Sequence, residues 1–146
     1  MPPAPETYNP RQTRVQGTEA LAQSTQAGRR IIVADDDLDT VEALAMLLRA
    51  LGHQVDVATR PAAVLDLAAR TRPQLIFLDI GMPEMDGWEL ARRLREQLGQ
   101  DAVRIVAVTG RGAKEDYVRS RKAGFDAHVQ KPVDMAILQS ILAQMD

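Results

Sequence analysis

The sequence predicts an open, parallel α/β sheet covered by helices on both faces. Two observations carry that expectation. The short runs Ile31-Ile32-Val33-Ala34 and Leu75-Ile76-Phe77-Leu78 are apolar throughout. They lack the alternation of a strand with one wet face, so both of their faces must be covered. Amphipathic stretches of helical period separate such runs, giving five strand–helix units in strict alternation. Crossovers in a sheet of this kind are right-handed.

Each element has its own justification. The first strand stops at Asp35. Val41, Leu44, Ala45, Leu48 and Leu51 then recur at helical spacing until Gly52 ends the helix. Gln54 to Ala58 alternates as a short strand. Thr59 is placed to cap the next helix, with Pro61 in its first turn and Val64, Leu65 and Ala68 on its inner face. The second apolar strand ends at Asp79. Trp88 to Leu98 reads as helix, Arg104 to Val108 as a strand running into Thr109, and Ala113 to Ala123 as a weakly amphipathic helix. Ala127 to Gln130 is a short strand before Lys131. Ile137, Leu138, Ile141, Leu142 and Met145 mark the last helix.

Composition narrows the function classes. The 146 residues suit one ordinary domain. Eighteen Lys+Arg against 20 Asp+Glu leave a net charge of −2. Bulk charge therefore favours neither nucleic acid nor an anionic membrane as partner. With no cysteine, disulfides, thiolate metal sites and a cysteine nucleophile are excluded, and a reducing compartment fits. No apolar run approaches the roughly 18 residues of a membrane span, and the N-terminus lacks a secretory apolar core. The expectation is a cytoplasmic protein. Residues 1–28, with Pro2, Pro3, Pro5 and Pro10 and many Gln, Thr and Ala, read as a tail; residues 29–146 form the domain. Asp37 and Asp86 read as helix caps and His53 as a solvated turn residue.

The polar residues fall where an open parallel sheet binds ligands, beyond the carboxyl ends of its strands. Asp35, Asp79, Thr109 and Lys131 each follow or end a strand, and Asp36 adjoins Asp35. Like charges about 4 Å apart repel by roughly 4 kcal/mol at an effective dielectric of 20. Asp35, Asp36 and Asp79 therefore require a cation or raised pKa values. Oxygen ligands without His or Cys suit Mg²⁺. With the Lys131 ammonium and the Thr109 hydroxyl, the set forms a holder for a phosphoryl group, with a carboxylate as the attacking atom.

The segments IIVADDD, LIFLDIGMPEMDG, IVAVTG and HVQKPV resemble the receiver domain of two-component response regulators. The resemblance covers Arg29 to Asp146. The intervals of 44, 30 and 22 residues between Asp35, Asp79, Thr109 and Lys131 agree with it. It implies a flavodoxin-like sheet of strand order 2-1-3-4-5 with five helices. It also implies Asp79 as acceptor of phosphate from the phosphohistidine of a sensor histidine kinase or histidine phosphotransfer protein. Mg²⁺ would be held by Asp36, Asp79 and the backbone carbonyl of Gly81, with Asp35 acting directly or through water. Lys131 would pair with the phosphoryl oxygens and Thr109 would report the phosphate. His128 falls at the family's rotating switch aromatic, where histidine would add sensitivity to pH. Gly110 would leave access to the phosphate, and Lys131-Pro132 would be cis. Gly81 and Arg111, at positions that influence hydrolysis, imply slow-to-moderate self-dephosphorylation. The fourth helix, fifth strand and last helix would form the face for a downstream protein.

Two other readings compete. Asp37-Leu38-Asp39-Thr40-Val41 matches the signature of haloacid-dehalogenase-type phosphatases, but Asp35, not Asp37, leaves the strand, and the chain lacks room for that fold's extra strands. A pseudo-receiver would keep the fold without phosphorylation; the full acidic set with Thr109 and Lys131 argues against it. The expectation is a phosphoacceptor rather than an enzyme, in a stand-alone receiver similar to those of hybrid kinases.

Overall fold

The computed structural model describes residues 28–110 and 114–145. Along them run β1 (Arg30–Ala34), α1 (Leu38–Ala50), β2 (Gln54–Ala58), α2 (Pro61–Thr71) and β3 (Leu75–Asp79). They continue with α3 (Gly87–Leu98), β4 (Arg104–Thr109), α4 (Lys114–Ala123), β5 (Ala127–Gln130) and α5 (Met135–Gln144). All strands pair in parallel, in the order β2-β1-β3-β4-β5. Strand order and helix number agree with the expectation. The tail assigned to residues 1–28 lies outside the described residues except for Gly28, as do Ala113 and Arg111.

The apolar strands are buried on both faces because each face has its own core. Ile31, Val33, Leu75, Phe77, Val106 and Val108 point to one side, where α1 adds Val41, Leu44, Ala45 and Leu48 and α5 adds Leu138 and Ile141. Ile32, Ala34, Ile76, Leu78, Ile105 and Ala107 point to the other, against Val64 and Ala68 of α2, Leu90, Ala91 and Leu94 of α3, and Ala123 of α4. Period-two geometry sorts the strand residues onto these faces. Each fully buried aliphatic side chain contributes about 1.5–3 kcal/mol.

Helix starts follow local chemistry. The Asp37 carboxylate accepts the Asp39 N–H, Asp86 accepts from Glu89, and Asp134 accepts from Ile137. The start of α2 differs from expectation. Arg60, not Thr59, holds the capping position, and no side chain caps it. Pro61 sets the boundary: it restricts the residue before it to extended backbone and itself suits the first helical position. Gly87 opens α3 pressed against the β3 exit. A Cβ there would lie 2.4 Å from Ile80 Cα, so only glycine fits.

Two buried polar residues stitch the sheet's far end. His53, expected in solvent, is 7% exposed, and its Nδ1 accepts the Arg29 N–H at 3.1 Å. The turn after α1 folds under the start of β1 and encloses the ring. Arg95, 5% exposed, donates to the carbonyls of Gln100, Val103 and Gly124 and to Asp126 Oδ2 at 2.6 Å. Asp126 also accepts the Ile105 N–H.

Burial, with the nearby Arg29 charge, lowers the His53 pKa from 6.5. The unfolded chain therefore takes up this proton before the folded one. The stability tied to neutral His53 is complete above 6.5 and is lost as pH falls below it. His53→Gln keeps an acceptor but does not titrate. The advantage of wild type over His53→Gln should shrink between about pH 8 and about pH 5, read from urea midpoints.

Candidate functional site

Register brings the carboxylates together. Ala34 pairs with Leu78, so the next residues along the two strands, Asp35 and Asp79, leave adjacent strands side by side. Neighbouring strands lie about 4.8 Å apart. Carboxylate oxygens of Asp35, Asp36 and Asp79 lie within 4.8 Å of one another. Asp35 and Asp79 are buried and Asp36 is exposed. β1 is the strand at which the sheet order reverses, with β2 on one side and β3 on the other. The cluster thus sits at the crevice such sheets use for ligands.

Lys131 crosses from the β5 exit to the same point. Its Nζ is 2.7 Å from Asp35 Oδ2 and 3.6 Å from Asp79 Oδ2. The Lys131 N–H donates to the Thr109 carbonyl at 2.8 Å, which ties the β5 exit to β4. The Lys131-Pro132 bond is cis, as expected. Asp35 Oδ1 accepts the Asp37 N–H at 2.9 Å, and Asp79 Oδ1 accepts the Gly81 N–H at 3.0 Å. Thr109 is buried at the end of β4. His128 pairs in register with Ala107. Its neighbours Ala127 and Val129 pack on the α1–α5 core, so its side chain leaves the opposite face of β5.

Electrostatics makes the cluster a site rather than a settled part of the core. Burial raises the Asp79 pKa. The Gly81 N–H and the Lys131 charge oppose that rise, while the charge and hydrogen bonding of Asp35 add to it. Burial alone would lower the Lys131 pKa, but its hydrogen bond to Asp35 and the charges of Asp79 and Asp35 outweigh burial and raise it. Among the described residues, the Lys131 ammonium faces the carboxylates of Asp35 and Asp79, with Asp36 beside them. These donors are hard oxygens without nitrogen or sulfur, carry more negative charge than Lys131 offsets and include an exposed carboxylate, a set that fits Mg²⁺.

Asp35, Asp36, Asp79 and Lys131 meet at one point, and Thr109 is joined to Lys131 through its carbonyl. The phosphatase-like Asp37 is turned away from this chemistry. Its carboxylate accepts the Asp39 N–H and the Thr40 hydroxyl. Near the site, sequence reasoning missed the Arg119 guanidinium, which lies 3.8 Å over the Trp88 ring at the start of α3. No local pattern signals that contact, because it joins two helices.

Comparison with known proteins agrees with this geometry. The response regulator receiver domain family matches residues 31–143. An uncharacterized 14.6 kDa protein of Leptolyngbya boryana is 37% identical over 120 residues, covering 82% of this chain and 92% of that protein. Response regulator MprA of a Mycobacterium species is 36% identical over 116 residues, covering 80% of this chain but only 48% of MprA. The chain thus spans about half the length of that regulator. Among solved structures, the receiver domain of a Pseudomonas aeruginosa sensor histidine kinase has a TM-score of 0.73 at 29% identity, over 81% of this chain and 97% of that one. That structure has a magnesium ion coordinated in its active-site cleft. A receiver domain from Methanospirillum hungatei has a TM-score of 0.75 at 27% identity, covering 82% and 94% of the two chains. This chain belongs to the receiver domain family of two-component response regulators.

The raised Asp79 pKa fixes the sign of a stability test. A carboxyl that is harder to ionise when folded destabilises the folded state once pH rises above its ordinary 3.8. Asp79→Asn removes that penalty. In metal-free neutral buffer it should be more stable than wild type by on the order of 1 kcal/mol. The gap should close as pH falls toward 3.8. Added Mg²⁺ should raise the wild-type unfolding midpoint and narrow the same gap at neutral pH.

Proposed function

We propose that Asp79 accepts a phosphoryl group from a phosphohistidine donor and that the resulting charge resets a protein-binding surface. The observation that carries this reading is one carboxylate at the end of the central strand, flanked by two more and faced by Lys131. Ionised Asp79 attacks phosphorus with a carboxylate oxygen. An O–P bond forms, the P–N bond to the donor imidazole breaks, and the imidazole departs with the electron pair. The Gly81 N–H already holds Asp79 Oδ1, which leaves Oδ2, the oxygen nearer Lys131, as the nucleophile.

Lys131 stabilises negative charge on the transferring oxygens. Its move toward the phosphoryl group weakens its pairing with Asp35. Thr109, at the end of the adjacent strand, offers a hydroxyl donor, and His128 serves as the switch side chain on the same sheet edge. Bound Mg²⁺, held by Asp36, Asp79 and the Gly81 carbonyl with Asp35 assisting, would neutralise the clustered carboxylates and the phosphoryl oxygens. Gly81 has no side chain to orient a hydrolytic water, which supports slow-to-moderate loss of the phosphate.

Partner geometry follows from the exposed surface. An apolar cleft of about 350 Å³ between α1 and the β5 exit is lined by Leu44, Leu47, Phe77 and Val133 and reaches Asp35 and Lys131. Leu38 and Met46 of α1 are exposed as well. Apolar surface beside the acceptor suits docking of a histidine kinase or histidine phosphotransfer protein. The α4–β5–α5 face, where Val118 is exposed, is the surface assigned to the downstream partner. No described helix is long and apolar enough to cross a membrane, and action in the cytoplasm belongs to the same proposal.

Incubation with Mg²⁺ and acetyl phosphate should add one labile phosphoryl group, read by intact mass. Asp79→Asn should gain none. Lys131→Met should react about a hundredfold more slowly. An adduct that persists on Asp79→Asn would remove Asp79 as the acceptor. A wild type that binds Mg²⁺ yet gains phosphate neither from acetyl phosphate nor from phosphohistidine donors would favour an interaction module.

A further inference from the structure

We propose that the Arg119–Trp88 stack is a releasable latch on α4 and that the Arg95 network is its fixed pivot. The reason begins in the helix sequence. α4 reads KEDYVRSRKA, with few apolar residues. Of its described side chains Ala123 is buried, whereas Val118 and Arg119 are exposed. By contrast α1 buries four residues. Among the described side chains of α4, hydrophobic burial rests on Ala123, and the polar contacts of this part of the helix decide where it lies.

Those contacts differ between the C-terminal end of α4 and its middle. At the C-terminal end, Gly124 turns the chain at φ +109°, and its carbonyl receives two N–H groups from Arg95 at 3.0 and 2.8 Å. Arg95 is held in turn by Asp126, Gln100 and Val103. A Cβ on Gly124 would sit 3.1 Å from Arg95 Cγ. This end is buried, charge-paired and fixed.

Toward the middle of α4, the hold is a surface contact. The Arg119 guanidinium lies 3.8 Å over the Trp88 ring and 3.8 Å from Asp86 Oδ2, and its side chain is 61% exposed. An open cleft of about 560 Å³, lined by Met85, Trp88, Arg92, Arg119 and Lys122, gives the guanidinium room to leave. Trp88 follows Gly87, whose N–H donates to the Ile80 carbonyl at 3.1 Å. Ile80 adjoins Asp79. The latch thus joins α4 to the segment that leaves the acidic cluster.

The stack offers a direct reading because Trp88 is the single tryptophan. Arg119→Gln should speed amide exchange in residues 115–122 about two- to fivefold, the range for losing an exposed cation–π contact. Exchange at Phe125 and Asp126 should stay unchanged. Tryptophan emission should shift to the red as water replaces the guanidinium, and Arg119→Lys should lie between wild type and Arg119→Gln. Arg95→Met should accelerate exchange through Gly124 to Asp126 as well, if it folds; the Arg119 variants decide the matter without it. Unchanged exchange in α4, or acceleration spread equally across residues 115–126, would overturn the proposal.

Discussion

Charge crowding at the β1–β3 edge is the constraint around which the rest of the domain is arranged. Parallel pairing of Ala34 with Leu78 delivers Asp35 and Asp79 to neighbouring strand ends, and Asp36 adds a third carboxylate. Such a group persists only with compensation. Lys131 supplies part of it, reaching across from the β5 exit, whose backbone is hydrogen-bonded to Thr109. The negative charge that Lys131 leaves over is what suits the cluster to a cation.

The two cores let this edge remain strained without unfolding the sheet. Side chains on one face pack under α1 and α5, and those on the other under α2, α3 and the end of α4. β3 is buried along its length and β1 past its first residue, so the crowded charge lies at the last residue of β3 and just beyond β1. At the opposite end, His53 and Arg95 use buried polar groups to close turns. A ring nitrogen and a guanidinium satisfy backbone groups that the loops would otherwise leave unpaired.

Much of the fold was legible because periodicity is a local signal. The apolar runs of β1 and β3 required a covered sheet, and Asp37 and Asp86 announced the helix starts they cap. The acidic cluster was legible as well, since position at a strand's end sets position at the sheet's edge. Thr59 misled because the constraint that Pro61 imposes on Arg60 outweighs a cap preference. His53 misled because nothing near it in sequence shows that Arg29 folds over it. Arg95 lies four residues after Ala91, on the apolar stripe of α3, and that spacing was a readable sign of a buried arginine; its acceptors, at Gly124 and Asp126, were not. The Arg119–Trp88 stack depends on how two helices lie, which composition does not reveal.

The segregation of helices between the two faces has a consequence for how such a domain diversifies. Asp79 stands on the rim common to both cores, yet the side chains above and below the sheet belong to separate packing groups. Core residues under α1 and α5 can change in size without touching those under α2, α3 and the end of α4. Neither set of changes has to be repacked against the other. A change in charge at the rim therefore bears on two packing groups at once, one on each face of the sheet.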